Sequence, residues 1–558
     1  MVRRALSVFY KEVRNLHQAA YILAVFAFGS QLLALVRDRL LAHEFGAGIE
    51  LDVYYAAFRI PDLLYVVFAS MLSVYVLIPF VADRMDGKQN RDARAVLSQV
   101  YTVFLVGYIV VAAVVWLTAP FLVSWLFVGM AEQANDIVSL LRILLLQPLL
   151  LGVSSLLGVV TQMGHRFVLY AISPLFYNLG IIIGILFLYD VFGLAGLGYG
   201  VVLGASMHML VQWPLMRGSD LSFGFTTHLS GDLLKRIVKV SMPRAITLTL
   251  HQVTLLVAIM ITGLLATGSI SVFQFAFNLQ SVPLAVIGAS YSTAAFPFLA
   301  DLYARKQQQE FVRYVTTALR HILFWALPAV ALIIILRAQI VRVVLGSGEF
   351  SWSDTRLTAA VLALLSISLV AQAMNLLLVR TFYAAGKTLV PFLVTLLGTV
   401  IAAVSMYSLV HSEFSLSPLF SFLTDIFRVA DVMHNEVILI ALGYTIAIIL
   451  QVLVLFLVTV RTFSISVQWL PGHLLRTFSA AFSGGFVAYV VLQYMAHVVD
   501  QDSFIGIFAQ GLVAAIFGIA AIAATYYVLK TPESHEIYRA VRRRFGMEKV
   551  VASQDDVL

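Results

Sequence analysis

The sequence predicts an all-α polytopic membrane protein with about 14 transmembrane helices, arranged as two like-oriented six-helix lobes plus two extra helices. Three observations lead there. Of the 558 residues, 61% are apolar and only 12% charged, against roughly 25% charged in an ordinary soluble domain. Mean hydropathy is +0.94. The apolar residues come in runs of about 20, the length that crosses a bilayer, separated by short polar connections. A water-soluble core cannot bury so much apolar surface, which excludes a soluble enzyme as well as a disordered or fibrous chain. Cysteine is absent, so disulfides and thiolate-held metals play no part. The net charge of +7 lies in loops beside apolar runs, where it reads as membrane orientation rather than nucleic-acid binding.

The runs fall near 18–42, 51–82, 97–125, 137–163, 167–189, 193–216, 240–266, 270–300, 314–344, 356–384, 388–410, 436–460, 470–497 and 503–529. The first two carry internal charges. A cytoplasmic N-terminus would make the even-numbered connections basic. They are: Arg84, Lys88, Arg91 and Arg94 follow span 2, Arg217, Lys235, Arg236 and Lys239 follow span 6, and Arg305, Lys306 and Arg313 follow span 8. Arg3, Arg4, Lys11 and Arg14 precede span 1, and the tail carries Lys530, Arg539, the run Arg542–Arg544 and Lys549. The opposite connections are nearly free of Lys and Arg, the long one at 411–435 having only Arg428. Both termini are therefore expected in the cytoplasm. No cleavable signal is expected, because no small-residue site follows an apolar core near the start. The tail reads as a surface helix or a disordered end.

Two parts of the chain resemble each other. Ala57-Phe58-Arg59-Ile60 leads to Ile78-Pro79-Phe80-Val81-Ala82-Asp83, and Ala276-Phe277-Asn278-Leu279 leads to Phe296-Pro297-Phe298-Leu299-Ala300-Asp301. Gly164-His165-Arg166 corresponds to Gly386-Lys387-Thr388, and Ser30-Gln31 to His251-Gln252. An even number of spans separates the copies, so both halves keep one orientation, a parallel repeat about the membrane normal. The organisation that follows is a lobe at 1–220, a second lobe over 221–412 completed by the loop and span at 413–465, extra spans at 466–530 and a cytoplasmic tail at 531–558. Transporters built this way place substrate between their repeats.

Polar residues mark four spans at helical spacing. Span 2 has Asp52, Tyr55, Arg59, Asp62, Ser70 and Ser73; span 8 has Gln274, Asn278, Ser281 and Ser292; span 7 has Arg244, Thr247, His251 and Thr254 beside Gln252; span 1 has Ser30, Gln31 and Arg37. These are the first two spans of each half, and their polar faces could enclose a wet cavity. The plainer explanation is hydrogen-bonded packing between helices. Arg59 and Asp62, three apart, are placed to neutralise each other in part. Candidate substrate contacts are Gln31, Arg37, Arg59, Asp62, Arg244, His251, Gln252, Asn278 and Ser281, with structural or gating roles for Asp38 and Asp52. No phosphate-binding loop, HExxH, Gly-x-Ser-x-Gly or His-rich cluster occurs, so neither an enzyme nor an ATP-driven pump is indicated, and no cofactor or metal is expected.

Leu35-Val36-Arg37-Asp38, Phe45-Gly46-Ala47-Gly48, Asp52, Ala57-Phe58-Arg59-Ile60-Pro61 and Ile78-Pro79 closely resemble the opening of the MurJ (MviN) lipid II flippases. Gly164-His165-Arg166-Phe167 with Pro174 and Asn178, Pro243 with Gln252, Pro283 with Gly288 and Pro297, Gly348-Glu349-Phe350 with Asp354, and Phe382-Tyr383-Ala384 continue the match to about residue 410. The family belongs to the multidrug/oligosaccharidyl-lipid/polysaccharide exporter superfamily. The resemblance implies a V-shaped pair of lobes, alternating access and a lipid-tail groove at the two extra spans, in a bacterial cytoplasmic (inner) membrane. Its substrate would be the lipid-linked peptidoglycan precursor, with membrane lipids around it and cell-wall synthesis enzymes as protein partners. This chain departs from the family at cavity positions: Gln31, Tyr65, Val66, Asn278 and Ser281 stand where the family's flippases carry charged residues. Those departures keep open an exporter of another polyprenyl-linked glycan or amphipathic molecule. A transport-inactive scaffold is the third reading, which the retained polar faces oppose.

The loop charges yield a direct test. A single cysteine at position 88 should resist an impermeant maleimide in intact cells and react once the membrane is opened; labelling from outside would overturn the fourteen-span topology.

Overall fold

The computed structural model describes residues 16–82, 91–214, 216, 221–501, 503–536 and 539. Every element among them is helical. The helices are α1 Leu16–Phe45, α2 Ile49–Met71, α3 Val74–Ala82, α4 Arg91–Leu126, α5 Ala134–Leu144, α6 Leu146–Met163, α7 Phe167–Ile183, α8 Leu194–Gln212, α9 Gly231–Thr262 and α10 Ser269–Leu284. They continue as α11 Ser290–Ala304, α12 Gln308–Val344, α13 Trp352–Ile367, α14 Leu369–Ala384, α15 Leu389–His411, α16 Pro418–Phe427, α17 Val437–Phe463, α18 Leu470–Ala496 and α19 Phe504–Val528.

Eleven helical segments among the described residues are long and apolar enough to cross a membrane, twelve if α13 and α14, bent by 43° at Ser368, count as one. These correspond to spans 3–14 of the sequence reading. The helices at the first two spans, α1 and α2, are not among those segments; α1 carries Arg37, Asp38, Arg39 and Glu44, and α2 carries Glu50, Asp52, Arg59 and Asp62. The chain is a multi-pass membrane protein. The basic residues Arg84, Lys88 and Arg217 and the run Arg542–Arg544 lie outside the described residues.

Contacts divide the chain into two units. The first comprises residues 1–279, 344–361 and 388–447, the second 280–343, 362–387 and 448–558. In the first, α1 packs on α7, α7 on α8, and α9 runs along α2 and α15. The α7–α8 pair meets through glycine. A Cβ added at Gly180 would fall 2.2 Å from the Gly204 Cα, and one at Gly184 would fall 2.5 Å from the Gly200 Cα. Where lipid removes the hydrophobic drive between helices, such close backbone approach is what binds them. Residues 221–230 have no helix of their own. They lie along α4, whose side chains accept their amides: Thr226 N–H to Thr102 Oγ1 at 2.9 Å and Ser230 N–H to Gln99 Oε1 at 2.7 Å.

The second unit is held by α18 against α19. Tyr526 stacks on Phe324 at 4.1 Å and donates its hydroxyl to the Phe324 carbonyl at 2.7 Å. Just past α19, buried Glu533 pairs with Arg320 at 2.7 Å, so the start of the tail is docked rather than free.

Spans 2 and 8 are irregular at related places. The ladder of span 2 breaks between α2 and α3, at Leu72 and Ser73. Span 8 widens to a π-turn over Ala285–Ala289 between α10 and α11. The repeat carries Met71 onto Ala289.

Gly204→Leu should prevent the α7–α8 approach. Overpacking of this kind costs about 1–3 kcal/mol or more, so the thermal midpoint of detergent-purified protein should fall clearly, whereas Gly472→Leu, whose Cβ meets nothing within 4 Å, should leave it in place.

Candidate functional site

Arg37, Asp38 and Arg59, charged residues of α1 and α2, hydrogen-bond to neighbouring helices. Arg37, next to Asp38 in sequence, donates to its Oδ1 from Nε at 3.0 Å and Nη2 at 2.7 Å. A third donor, Nη1, reaches Asn178 Oδ1 on α7 at 3.0 Å, and Asn178 Nδ2 reaches Ser30 Oγ at 3.3 Å. The other Asp38 oxygen accepts from Asn278 Nδ2 at 3.1 Å. Asn278 Oδ1 accepts from Gln274 Nε2 at 2.7 Å, and Gln274 Oε1 from Arg59 Nη2 at 2.8 Å. One polar chain thus runs Arg59–Gln274–Asn278–Asp38–Arg37–Asn178–Ser30 through α2, α10, α1 and α7. Every link in it is a direct side-chain hydrogen bond, and such links strengthen one another where water is excluded.

Arg59 and Asp62 remain close enough for their charges to attract, but the hydrogen bonds of Arg59 among the described residues run elsewhere. Arg59 donates instead to Gln274 and, from Nε at 3.2 Å, to the Tyr55 carbonyl one turn back. Two of its five N–H donors are used in this way among the described residues. Asp62 lies beside Gln147.

A cavity of about 190 Å³ opens against this chain, walled by Arg37, Asp38, Arg59, Asp62, Gln274 and Asn278 with Tyr54, Tyr55 and Tyr177. The Tyr55 hydroxyl is buried and has no hydrogen-bond partner. Two guanidinium groups face two carboxylates, so the wall is polar and balanced rather than strongly cationic. The volume suits a few water molecules, each occupying about 30 Å³ of liquid. It lies below the roughly 300–1,000 Å³ of ligand pockets.

The remaining candidates sit elsewhere. Asp52 accepts from Gly268 N–H at 2.6 Å, Ser271 N–H at 2.8 Å and Ser271 Oγ at 2.6 Å. It caps the first turn of α10 from another helix, satisfying amides that an N-terminus leaves open. Gln31, His251, Gln252 and Ser281 do not line the cavity. His251 is exposed. On the same helix Thr254 bonds Thr399 of α15 at 2.9 Å, so part of the span 7 stripe is helix packing. The Arg244 side chain lies outside the described residues. Sequence reasoning missed Tyr54 and Tyr177, because aromatic residues in a membrane span carry no periodic signal of their own.

A second, larger hollow of about 560 Å³ lies where four connections meet, lined among others by Ala47, Gly268, Trp352, Asp354, Arg356 and Asp431. Arg356 clasps Asp431 with two donors, Nη1 to Oδ2 at 2.8 Å and Nη2 to Oδ1, and donates to the Arg428 carbonyl. The guanidinium holds the Asp431 carboxyl below the usual carboxylate range.

Apolar helices closed around a small pocket of paired charges, with no catalytic constellation, define a polytopic membrane transporter. The chain belongs to the lipid II flippase MurJ family, whose model matches residues 41–427. A Thermotoga maritima protein described as a probable lipid II flippase MurJ is 28% identical over 376 residues, covering 66% of this chain and 74% of that one. The lipid II flippase MurJ of Burkholderia cenocepacia is 23% identical over 423 residues, 72% of this chain and 81% of its own. Among solved structures, a lipid II flippase MurJ in an inward closed conformation superposes with a TM-score of 0.71 at 20% identity, covering 92% of this chain and all of that chain, 100%. An inward-facing multidrug transporter of the MATE family superposes at 0.63, with 16% identity over 78% of this chain and 94% of its own.

The Arg37–Asp38 pair anchors the network. Asp38→Ala should strand a guanidinium and destabilise the protein by about 3–5 kcal/mol. Replacing both residues with leucine should recover most of that loss in thermal unfolding.

Proposed function

We propose that this chain is a flippase that carries the lipid-linked peptidoglycan precursor, lipid II, from the inner to the outer leaflet by alternating access. Family membership over most of the chain carries this reading, and the polar cavity supports it. A pyrophosphate–sugar–peptide head cannot enter hydrocarbon unshielded, since burying an uncompensated charge costs many kcal/mol. A protein that surrounds the head with polar groups and leaves the prenyl tail in lipid removes that barrier with no covalent step.

In this proposal the two repeats form the lobes that rock, with spans 1, 2, 7 and 8 along the cleft and both termini in the cytoplasm. Gln31, Arg37, Arg59, Asp62, Arg244, His251, Gln252, Asn278 and Ser281 contact the head group, while Asp38 and Asp52 hold the helices that carry them. The 190 Å³ cavity must widen to admit the head group, which agrees with a site that opens only in part of a cycle. Cell-wall synthesis enzymes are the partners that would consume the product. One observation keeps an exporter of another polyprenyl-linked glycan in view: the cavity wall pairs two arginines with two aspartates and so carries no net charge toward a pyrophosphate.

Arg59 tests the proposal. A guanidinium with spare donors can grip a pyrophosphate bidentately. In cells depleted of their own lipid II flippase, Arg59→Ala should abolish growth rescue and precursor translocation while the protein inserts normally. Arg59→Lys should retain part of both. An active Arg59→Ala/Asp62→Ala double mutant would reject the head-group role, and failure of the intact chain to rescue would reject lipid II as substrate.

A further inference from the structure

The connection between α15 and α17 contains α16, and α16 has three faces instead of two. Phe420 and Thr424 point inward and are buried, at 7% and 3% exposure. The outward arc divides lengthwise. On one side stand Leu419, Phe422 and Ile426, exposed at 53%, 58% and 51%. On the other stand Ser421 and Asp425, also exposed. Spacings of three and four residues keep each set in line along the helix. A helix resting on protein and otherwise in water needs no apolar ridge beside its polar strip. A helix lying where protein, lipid and water meet needs both.

The helix is built to hold that position. Ser417 Oγ accepts the Phe420 amide at 3.2 Å at its start, with Pro418 in the first turn. At its end Arg428 takes a left-handed conformation, φ 58°, and the Val429 amide closes back to the Thr424 carbonyl at 2.8 Å. Just beyond, the Arg356 clasp on Asp431 and the Arg428 carbonyl fixes the connection to α13.

The apolar ridge follows, in the chain, a span with an apolar outer stripe. Along α15 the large exposed apolar residues are Leu389, Leu393, Leu396, Leu397, Val400, Val404 and Tyr407, a stripe at helical spacing that ends in a tyrosine, a residue enriched at the membrane–water boundary. Tyr407 stacks on His411 at 4.0 Å, and only residues 412–417 separate His411 from α16.

We propose that α16 is an interfacial membrane helix, with Leu419, Phe422 and Ile426 seated at the head-group/acyl boundary of the leaflet that α15 has just crossed. Its partner is lipid, not a second protein. The lipid contact and the Arg356 clasp hold the two sides of the connection that lines the larger hollow, so its wall is tied to the membrane as well as to α13. The proposal does not depend on the transported substrate.

Cysteine is absent, so Phe422→Cys and Asp425→Cys each give one thiol for an environment-sensitive fluorophore, with Leu419→Cys as a second reporter of the ridge. The labelled full-length proteins are placed in phosphatidylethanolamine/phosphatidylglycerol vesicles. The 422 and 419 labels should emit further to the blue than the 425 label. Aqueous iodide should quench them several-fold less, and lipid bearing a nitroxide high on its acyl chain several-fold more. Iodide quenching at 422 and 419 equal to that at 425 would overturn the proposal. So would shielding from both quenchers, which would mean that a protein surface covers the ridge.

Discussion

A charge within a membrane helix has to find a polar partner, and that constraint sets how α1, α2, α7 and α10 come together. Lipid offers no hydrophobic reward for bringing them together. The chain from Arg59 to Ser30 supplies the reason for them to meet. Asp38 is its centre, since its two oxygens serve Arg37 on one side and Asn278 on the other. Remove that carboxylate and the links on both sides lose their terminus. The cavity exists because the four helices are held by side chains long enough to keep their backbones apart, whereas α7 and α8, joined by glycine, leave no space between them.

The membrane character and twelve of the spans were legible from the apolar runs alone, because length and composition are what lipid selects. The first two spans were legible only as a compromise between apolarity and charge, and the structure explains it: their charged residues face a network. Helical periodicity found Arg37, Arg59, Asp62, Gln274 and Asn278 at the cavity. It could not find their pairing. On one helix Asp62 looks like the natural partner of Arg59, yet the hydrogen bond goes to Gln274, 215 residues away, a distance no local pattern encodes. Asp52 was legible as structural, but not as the cap of a remote helix. Asn178 entered through the family resemblance and not through any stripe on its own span.

The irregular turns of spans 2 and 8 occupy related positions in the repeat, one as a break and the other as a π-turn. Helix irregularities of this kind often mark functional hinges. Both lie beyond the network-forming polar part of their span, before Pro79 and Pro297. The polar ends are fixed by the network, and the distal segments leave it at a change in helical geometry.

The remote cap on α10 has a consequence in time. Asp52 enters the membrane 216 residues before the Gly268 amide that it accepts. At roughly 5–20 residues per second of synthesis, that carboxylate waits about 10–40 s for its partner. During that interval the first two helices hold charges that their neighbours have not arrived to meet.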